Sequence, residues 1–434
     1  MINKVLMRIT VVTIIFAIKI CSAYLHDYEP TLVNSDLRLA AIGNLDLIVM
    51  GWDNEINAYD FGESPAGIIE DNHGKSMVYL PGAYNVTDLD ERPFYEYWPY
   101  DDEWDSYGLR VLGIAKIKSR LAIGGSFLKA RANRSYYYMY YALPYFEHYD
   151  TYSGRVVSAY KALPWFTIGC QGSYRKRRET YEHPVYEEVY YEIDEYVLEP
   201  AVLIVLPHQH WQCGLNYLHK KVKTYPTVHH FTVPFVYSYK QLQFGLKTSF
   251  GHVPISDDWK KAIEFRSLYK IPMEVGSVNV GLLFSYATPQ MWEDFTIWSS
   301  EGWQRKMGIG IAYNNIKLGM IGMQYTKYSI KSDVFDYSYT THENNMHFGI
   351  ELLLLRNLPV RLGYIYTGLD YPYYSEPSYD MITTGFGIKI PSINLEIDFA
   401  YNSQFIRVNY YEFFEYFSYM DVDHLFGLSG RFIF

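Results

Sequence analysis

His424-Leu425-Phe426-Gly427-Leu428-Ser429-Gly430-Arg431-Phe432-Ile433-Phe434 ends the chain as one unbroken alternation. In an extended segment successive side chains point to opposite faces, so Phe426, Leu428, Gly430, Phe432 and Phe434 share one face. Leu425, Gly427, Ser429, Arg431 and Ile433 share the other. The period is that of a strand with a wide apolar aromatic face and a mixed opposite face. The decision it forces is what solvent that apolar face meets.

The same grammar recurs upstream. Ile393, Leu395, Ile397, Phe399 and Tyr401 alternate with Asn394, Glu396, Asp398 and Ala400. Ile382, Thr384, Phe386, Ile388 and Ile390 alternate with Thr383, Gly385, Gly387 and Lys389. Phe231, Val233, Phe235, Tyr237 and Tyr239 lead through a turn near Lys240 into Leu242, Phe244, Leu246 and Phe250, and Met346 to Leu354 repeats the pattern. One face apolar and the other polar or glycine fits lipid outside and water or a plug inside.

Eight short turns fall near residues 117, 164, 208, 240, 272, 314, 358 and 391. Each joins two strands. The terminal strand and, because the barrel must close, one more around Ser76 to Tyr84 bring the number to about eighteen; about fourteen or sixteen follow if a weak hairpin is a loop excursion. The expected fold class is all-β, a transmembrane antiparallel β-barrel. The connections Asn85–Ser106, Arg131–Tyr152, Arg175–Tyr196, Gln290–Gly302, Lys331–Thr341, Asp370–Tyr379 and Gln404–Asp421 are expected as long extracellular loops. The terminal strand, with Phe432 and Phe434, resembles the C-terminal targeting strand of bacterial outer-membrane barrels, which implies recognition by the barrel-assembly machinery.

The N-terminus reads as export. Lys4 and Arg8 precede a mostly apolar run from Ile9 to Ile20, and Cys21-Ser22-Ala23 offers small residues for cleavage. Residues 1–23 are therefore expected to be a signal peptide; lipidation at Cys21 is the alternative. Beyond residue 23 the longest purely aliphatic run is Ala201–Leu206. A helical span needs about 20 apolar residues, so membrane entry requires a closed barrel.

Aromatics make up 18% of the chain, with 46 Tyr against 24 Phe. An apolar ring with a polar tip suits the two membrane–water interfaces. The net charge of −10 argues against nucleic acid as a partner, because phosphate neutralisation needs a basic surface. Cys170 and Cys213 both fall on apolar faces, and a disulfide between them is open. Nucleophile-elbow, zinc-protease, phosphate-loop and dinucleotide signatures are missing, so no catalytic residue, metal or cofactor is expected. His208 and His210 share a face beside a turn and lack a third ligand.

Lys247, Glu351, Arg361, Lys389, Glu396, Asp398 and Arg431 fall on inward parity. Their mixed signs disfavour a single-sign ion filter and favour pairing across strands. Arg175-Lys176-Arg177-Arg178 lies where a strand leaves the outer leaflet, beside lipopolysaccharide phosphates or as a solvated loop base. The acidic stretch from Asp88 to Asp105, with Trp98, Tyr100 and Trp104, holds a cation or sugar, or is merely solubilising.

Residues 24–75 do not read as barrel. They contain Arg38-Leu39-Ala40-Ala41-Ile42-Gly43, then Asp53-Asn54-Glu55-Ile56-Asn57, then Asp60-Phe61-Gly62-Glu63-Ser64-Pro65-Ala66-Gly67-Ile68. This order resembles the N-terminal pattern of the long-chain fatty-acid transporter (FadL-like) superfamily, with Ser64 in place of the usual Asn and Ile68 in place of Leu. The resemblance implies an N-terminal hatch over 24–75 inside a barrel spanning 76–434, in the outer membrane of a Gram-negative cell. Pro65-Ala66-Gly67 would form a tight turn, with Gly67 left-handed and Asn57 and Asp60 bonding local backbone. The expected function is passive passage of a hydrophobic or amphipathic small molecule, by hatch rearrangement or through the wall. The rival expectation is a non-transporting surface or scaffold barrel for secretion or attachment.

Overall fold

The structure is a computed structural model that describes residues 45, 47, 65–69, 76–88, 103–117, 119–138, 143–182, 189–206, 211–223, 227–253, 258–288, 301–315, 317–334, 337–355, 357–370, 378–412 and 415–433. Among these residues eighteen strands form one sheet. They are β1 Met77–Asp88, β2 Glu103–Ile117, β3 Leu121–Tyr138, β4 Leu143–Leu163, β5 Phe166–Glu182 and β6 Val189–Leu206. Then come β7 Trp211–Val222, β8 Val228–Tyr239, β9 Leu242–Val253, β10 Asp258–Met273, β11 Gly276–Ala287 and β12 Glu301–Asn315. The last are β13 Gly319–Val334, β14 Tyr337–Leu355, β15 Leu358–Asp370, β16 Ser378–Ile390, β17 Leu395–Glu412 and β18 Glu415–Ile433. Each strand pairs antiparallel with its sequence neighbours, and β1 pairs with β18 from Met77↔Ile433 to Asp88↔Val422. The sheet closes into a barrel with no free edge.

The terminal alternation holds in space: Gly427 and Ser429 are buried inward, whereas Phe426 and Phe432 are exposed outward. Phe434 lies outside the described residues. All eight expected short turns join neighbouring strands at one end of the barrel.

The outward face decides the solvent. Val156 is 66% exposed and Ile309 54%, with Leu198, Leu215, Ile321, Met323, Phe348 and Ile382 alongside. A soluble monomer rarely shows more than a few hundred Å² of continuous apolar surface. Here the apolar band runs around the whole sheet and is bounded by outward aromatics at two levels. Tyr160, Trp165, Tyr239 and Tyr313 mark the short-turn end; Tyr174, Tyr196 and Trp259 mark the other. That is the arrangement of a barrel solvated by an apolar layer about 25 Å thick. Outward rings also pair across strands, as Phe386–Phe399 at 5.3 Å and Tyr217–Phe231 at 4.9 Å, each such pair contributing roughly 0.2–1 kcal/mol.

Three strand prolines interrupt the ladder locally. Pro81, Pro200 and Pro234 fall in two-residue gaps of the β1–β2, β6–β7 and β7–β8 pairings. Proline has no N–H to donate, and each is paired on one side only.

The long connections differ from expectation. β4 has 21 residues, about twice the 9–11 that a tilted span needs. Much of Arg131–Tyr152, Arg175–Tyr196, Lys331–Thr341 and Gln404–Asp421 is paired strand rather than loop. The reason is visible where side chains are described: Arg131 bonds Asp150 at 3.1 Å and Lys176 bonds Glu192 at 2.7 Å across neighbouring strands. Tyrosines of high strand propensity fill the positions between.

Candidate functional site

Among the described residues the lumen wall has two kinds of built region, and residues of the N-terminal segment form the first, at two places on the wall. Pro65–Ile69 forms a single 3-10 turn with Pro65, Ala66, Ile68 and Ile69 buried. Proline at the first position has its φ preset for such a turn and lacks an N–H that would go unpaired there. Gly67 is not in the left-handed region; the positive-φ glycines among the described residues are Gly276, Gly302 and Gly319. The expectation of a left-handed turn is therefore corrected: a right-handed 3-10 turn needs no positive φ. Ser64, Asn57 and Asp60 lie outside the described residues.

The turn packs on β3, β4, β5 and β6. It lies directly over Gly169 of β5, where an added Cβ would stand 2.3 Å from the Ala66 nitrogen. Gly169 is inward-facing, so the absent side chain is the space the turn backbone occupies. Ala66 clusters with Ala201 and Leu203 of β6. Ile68 and Ile69 cluster with Met77, Leu112, Ile114 and Val157 on β1, β2 and β4. These wall residues point into the lumen, yet they are apolar, and the turn removes them from water. The Lys116 ammonium donates a hydrogen bond to the Ile68 carbonyl, and the Lys116 backbone N–H donates to Ser76 Oγ at 2.9 Å. The exit of the turn is thereby tied to β2.

Leu45 and Leu47 lie against another wall, with Leu283 of β11, Ala312 of β12 and Met320 of β13. The Leu47 N–H donates to Gln324 Oε1 at 2.9 Å, and an added Cβ on Gly308 would come within 2.7 Å of Leu47 Cδ1. The described parts of residues 24–75 thus touch the lumen wall at β2–β6 and at β11–β13, roughly opposite in the ring.

The second region is ionic and lies on β14–β18. Arg361 is 1% exposed and bonds Glu351 Oε2 through Nε at 2.8 Å and Asp398 Oδ1 through a terminal nitrogen at 2.6 Å. Glu351 is its direct neighbour on β14, but Asp398 sits on β17, beyond β16. The reach across β16 depends on Gly387, where an added Cβ would stand 2.6 Å from Asp398 Oδ1 and 2.9 Å from the Arg361 guanidinium. One step nearer the short-turn end, Lys389 bonds Glu396 at 3.0 Å and Arg431 bonds the same carboxylate. Lys389, Glu396 and Arg431 are direct register partners on β16, β17 and β18. One triad has two carboxylates to one cation and the other the reverse, so together they balance.

Of the seven inward charges, six are in these triads. Lys247 stands apart on β9, within electrostatic reach of Glu199 and His230. Glu199 accepts a hydrogen bond from Gln171 Nε2 at 2.5 Å, so a polar shelf lies next to the apolar seat. At the short-turn end an open depression of about 320 Å³ lies between β10 and β14, lined by Lys270, Ser277, Asn314 and Glu351.

Cys170 and Cys213 are free thiols, on strands separated by β6, so no disulfide forms. His208, His210, Trp98 and Tyr100 lie outside the described residues. In the basic run, Lys176 and Arg178 pair with Glu192, and Arg177 pairs with Glu179. Sequence reasoning missed Lys116, Gly169 and Gly308, and placed Gly387 inward without its role. An inward glycine in mid-strand signals close approach of another group, and all three glycines have that parity.

No family model and no curated protein matches the sequence. Among solved structures, the chain is similar to Pseudomonas aeruginosa OccK7 (OpdD), with TM-score 0.53 and 9% identity over 83% of this chain and 99% of that one. That likeness is one of fold. A Pseudomonas aeruginosa FadL homologue aligns over 92% of this chain and 98% of that one, at 11% identity and TM-score 0.42. The TodX monoaromatic hydrocarbon channel, as a deletion mutant, aligns over the same shares at 8% identity and TM-score 0.44.

Proposed function

We propose that the protein is an outer-membrane channel for passive passage of hydrophobic or amphipathic small molecules, with residues 24–75 as its hatch. The observation that carries this reading is the apolar seat inside the barrel. A water-filled pore is lined by polar residues, whereas Leu112, Ile114, Val157 and Leu203 present an apolar inner wall covered by Ala66, Ile68 and Ile69. If the turn leaves, that wall becomes a surface an apolar solute can wet. The neighbouring shelf of Gln171, Glu199 and Lys247 would hold a polar end of an amphipathic one.

The test is flux of an apolar solute into vesicles containing the full chain, beside the chain lacking residues 24–75 and beside Gly169→Val. Valine at 169 cannot coexist with Ala66 where it lies, so both variants should raise flux and open a conductance absent from the full chain. Equal flux in all three, in barrels shown to be folded, would favour the scaffold reading and overturn this one.

A further inference from the structure

We propose that the outward faces of β3, β5 and β7, just beyond the upper aromatic level, form a binding surface for a multiply phosphorylated lipid headgroup of the outer leaflet. The alternation places Lys129 and Arg131 outward on β3, because Leu128, Ala130 and Ala132 between and beside them are buried inward. It places Lys176 and Arg178 outward on β5, following exposed Tyr174, and Lys221 outward on β7, beside buried Val222. Lys223 continues that edge.

Register fixes their order around the wall. Lys129 faces Tyr152, which faces Lys176, which faces Asp194. Arg131 faces Asp150, which faces Arg178, which faces Glu192. The cations thus stand on alternate strands, and the three columns span about 19 Å at the ordinary strand spacing.

The charges do not cancel. Asp150 bonds Arg131 at 3.1 Å; Glu192 bonds Lys176 at 2.7 Å and lies 3.5 Å from Arg178; Asp194 lies 3.4 Å from Lys223. Those three carboxylates serve four of the cations. Lys129 instead sits over the Tyr152 ring at 5.7 Å, and Lys221 is exposed. Asp105 at the β2 edge accepts from Asn133 at 2.7 Å. The paired cations keep free donors as well: Arg131 is 45% exposed, Arg178 47% and Lys223 65%.

The level identifies the ligand. Tyr174 and Tyr196, outward with rings 5.0 Å apart, mark the interface at which lipid headgroups begin. The cations follow within the next few residues of the same strands. A phosphate there meets guanidinium and ammonium donors with charge-assisted geometry, while acyl chains lie along Phe127, Val156 and Leu198 below. Breadth over three columns suits a headgroup with more than one phosphate. On β16 Asp380 stands in register with Tyr366 and accepts a hydrogen bond from the Tyr364 hydroxyl, which makes an acidic internal control on another part of the wall.

The experiment is lipid retention by the full chain, read by native mass spectrometry after release from detergent micelles. Three probes are offered in turn: a bisphosphorylated acylated disaccharide, its fully dephosphorylated form, and zwitterionic phosphatidylcholine. The wild type should retain the bisphosphorylated form preferentially. Arg131→Gln/Arg178→Gln/Lys221→Gln should reduce retention by roughly fivefold per cation, and Asp380→Asn should not. Equal retention of the three lipids by the wild type, or unchanged retention by the triple variant, would overturn the proposal. Should the triple variant not fold, Lys221→Gln, which breaks no ion pair the structure shows, is read with 0.5 M salt added to the wild type. Loss of the preference in both supports the surface, and its survival in both removes it.

Discussion

The apolar seat on β1–β6 and the ionic region on β14–β18 lie on neighbouring arcs of the barrel wall and are made in opposite ways. On β2–β6 the inner wall is apolar and is finished by the N-terminal turn, which comes from outside the sheet. On β14–β18 the inner wall is charged and finishes itself, each charge answered by a side chain on a nearby strand. The apolar wall is completed by a segment from outside the sheet, so on the proposed function its exposure to water would change if the turn left. The charged wall has no such complement among the described residues, and separating its members would strand ions in a low-dielectric site. On the proposed function, the difference would put movement with the turn and rigidity with the charged wall.

The largest expected effect breaks the rigid side. Arg361→Met leaves Glu351 and Asp398 without their shared cation and should cost about 3–5 kcal/mol of barrel stability, as for other buried pairs that lose one partner. A urea titration in vesicles, followed by tryptophan emission, measures it. A cost below about 1 kcal/mol would mean that water already screens the triad.

Ile68→Ala comes next. It opens a cavity beneath the turn and should cost about 2–4 kcal/mol of turn docking. On this account the loss does not fall on the barrel: the urea midpoint stays near that of the wild type while protease cutting within residues 24–75 rises. A shift of the barrel midpoint would show that the seat is part of the structural core.

Lys116→Met removes one charge-assisted hydrogen bond to the Ile68 carbonyl and should weaken docking by about 1.5–3 kcal/mol. The same protease assay reads it. Because only one end of the turn is released, cutting should rise less than in Ile68→Ala.

Lys389→Gln is the smallest. The side chain is nearly half exposed, and Glu396 keeps Arg431, so the cost should stay below about 1 kcal/mol. A larger loss in the urea titration would mean that the outer triad acts as one unit with the Arg361 triad.

The barrel itself was legible because a two-residue period survives in lipid-facing strands with little noise. Ile382 to Ile390 and Leu395 to Tyr401 lie in β16 and β17 as the alternation expects, since lipid favours apolar residues at outward sites; Ile393 and Asn394 do not, because Ile393 ends a 3-10 turn and Asn394 caps it at positive φ. The strand overhangs were not legible. Beyond the lipid both faces meet water, the alternation loses its meaning, and Tyr, Glu and Arg look like loop; only the register reveals the ladder that Arg131 and Asp150 hold together. The inward charges could be located by parity, but the partners of Arg361 could not. Its bond to Asp398 crosses a whole strand and exists because Gly387 is bare, a relation between three strands that no single alternation contains. The seat was half legible. Pro65 marked a turn, but its docking on Gly169 required knowing which inward position lay beneath it.

The most direct test of the central claim is a covalent one. With Cys21, Cys170 and Cys213 replaced by serine, Ala66→Cys and Ala201→Cys are introduced together, and the folded chain is oxidised in the membrane. The account predicts an intramolecular disulfide that forms readily and lowers flux of apolar solutes, because it staples the turn to β6. Failure to form it, while a control pair at the Leu203↔Thr167 register position of β5 and β6 links normally, would place the turn elsewhere and contradict the account.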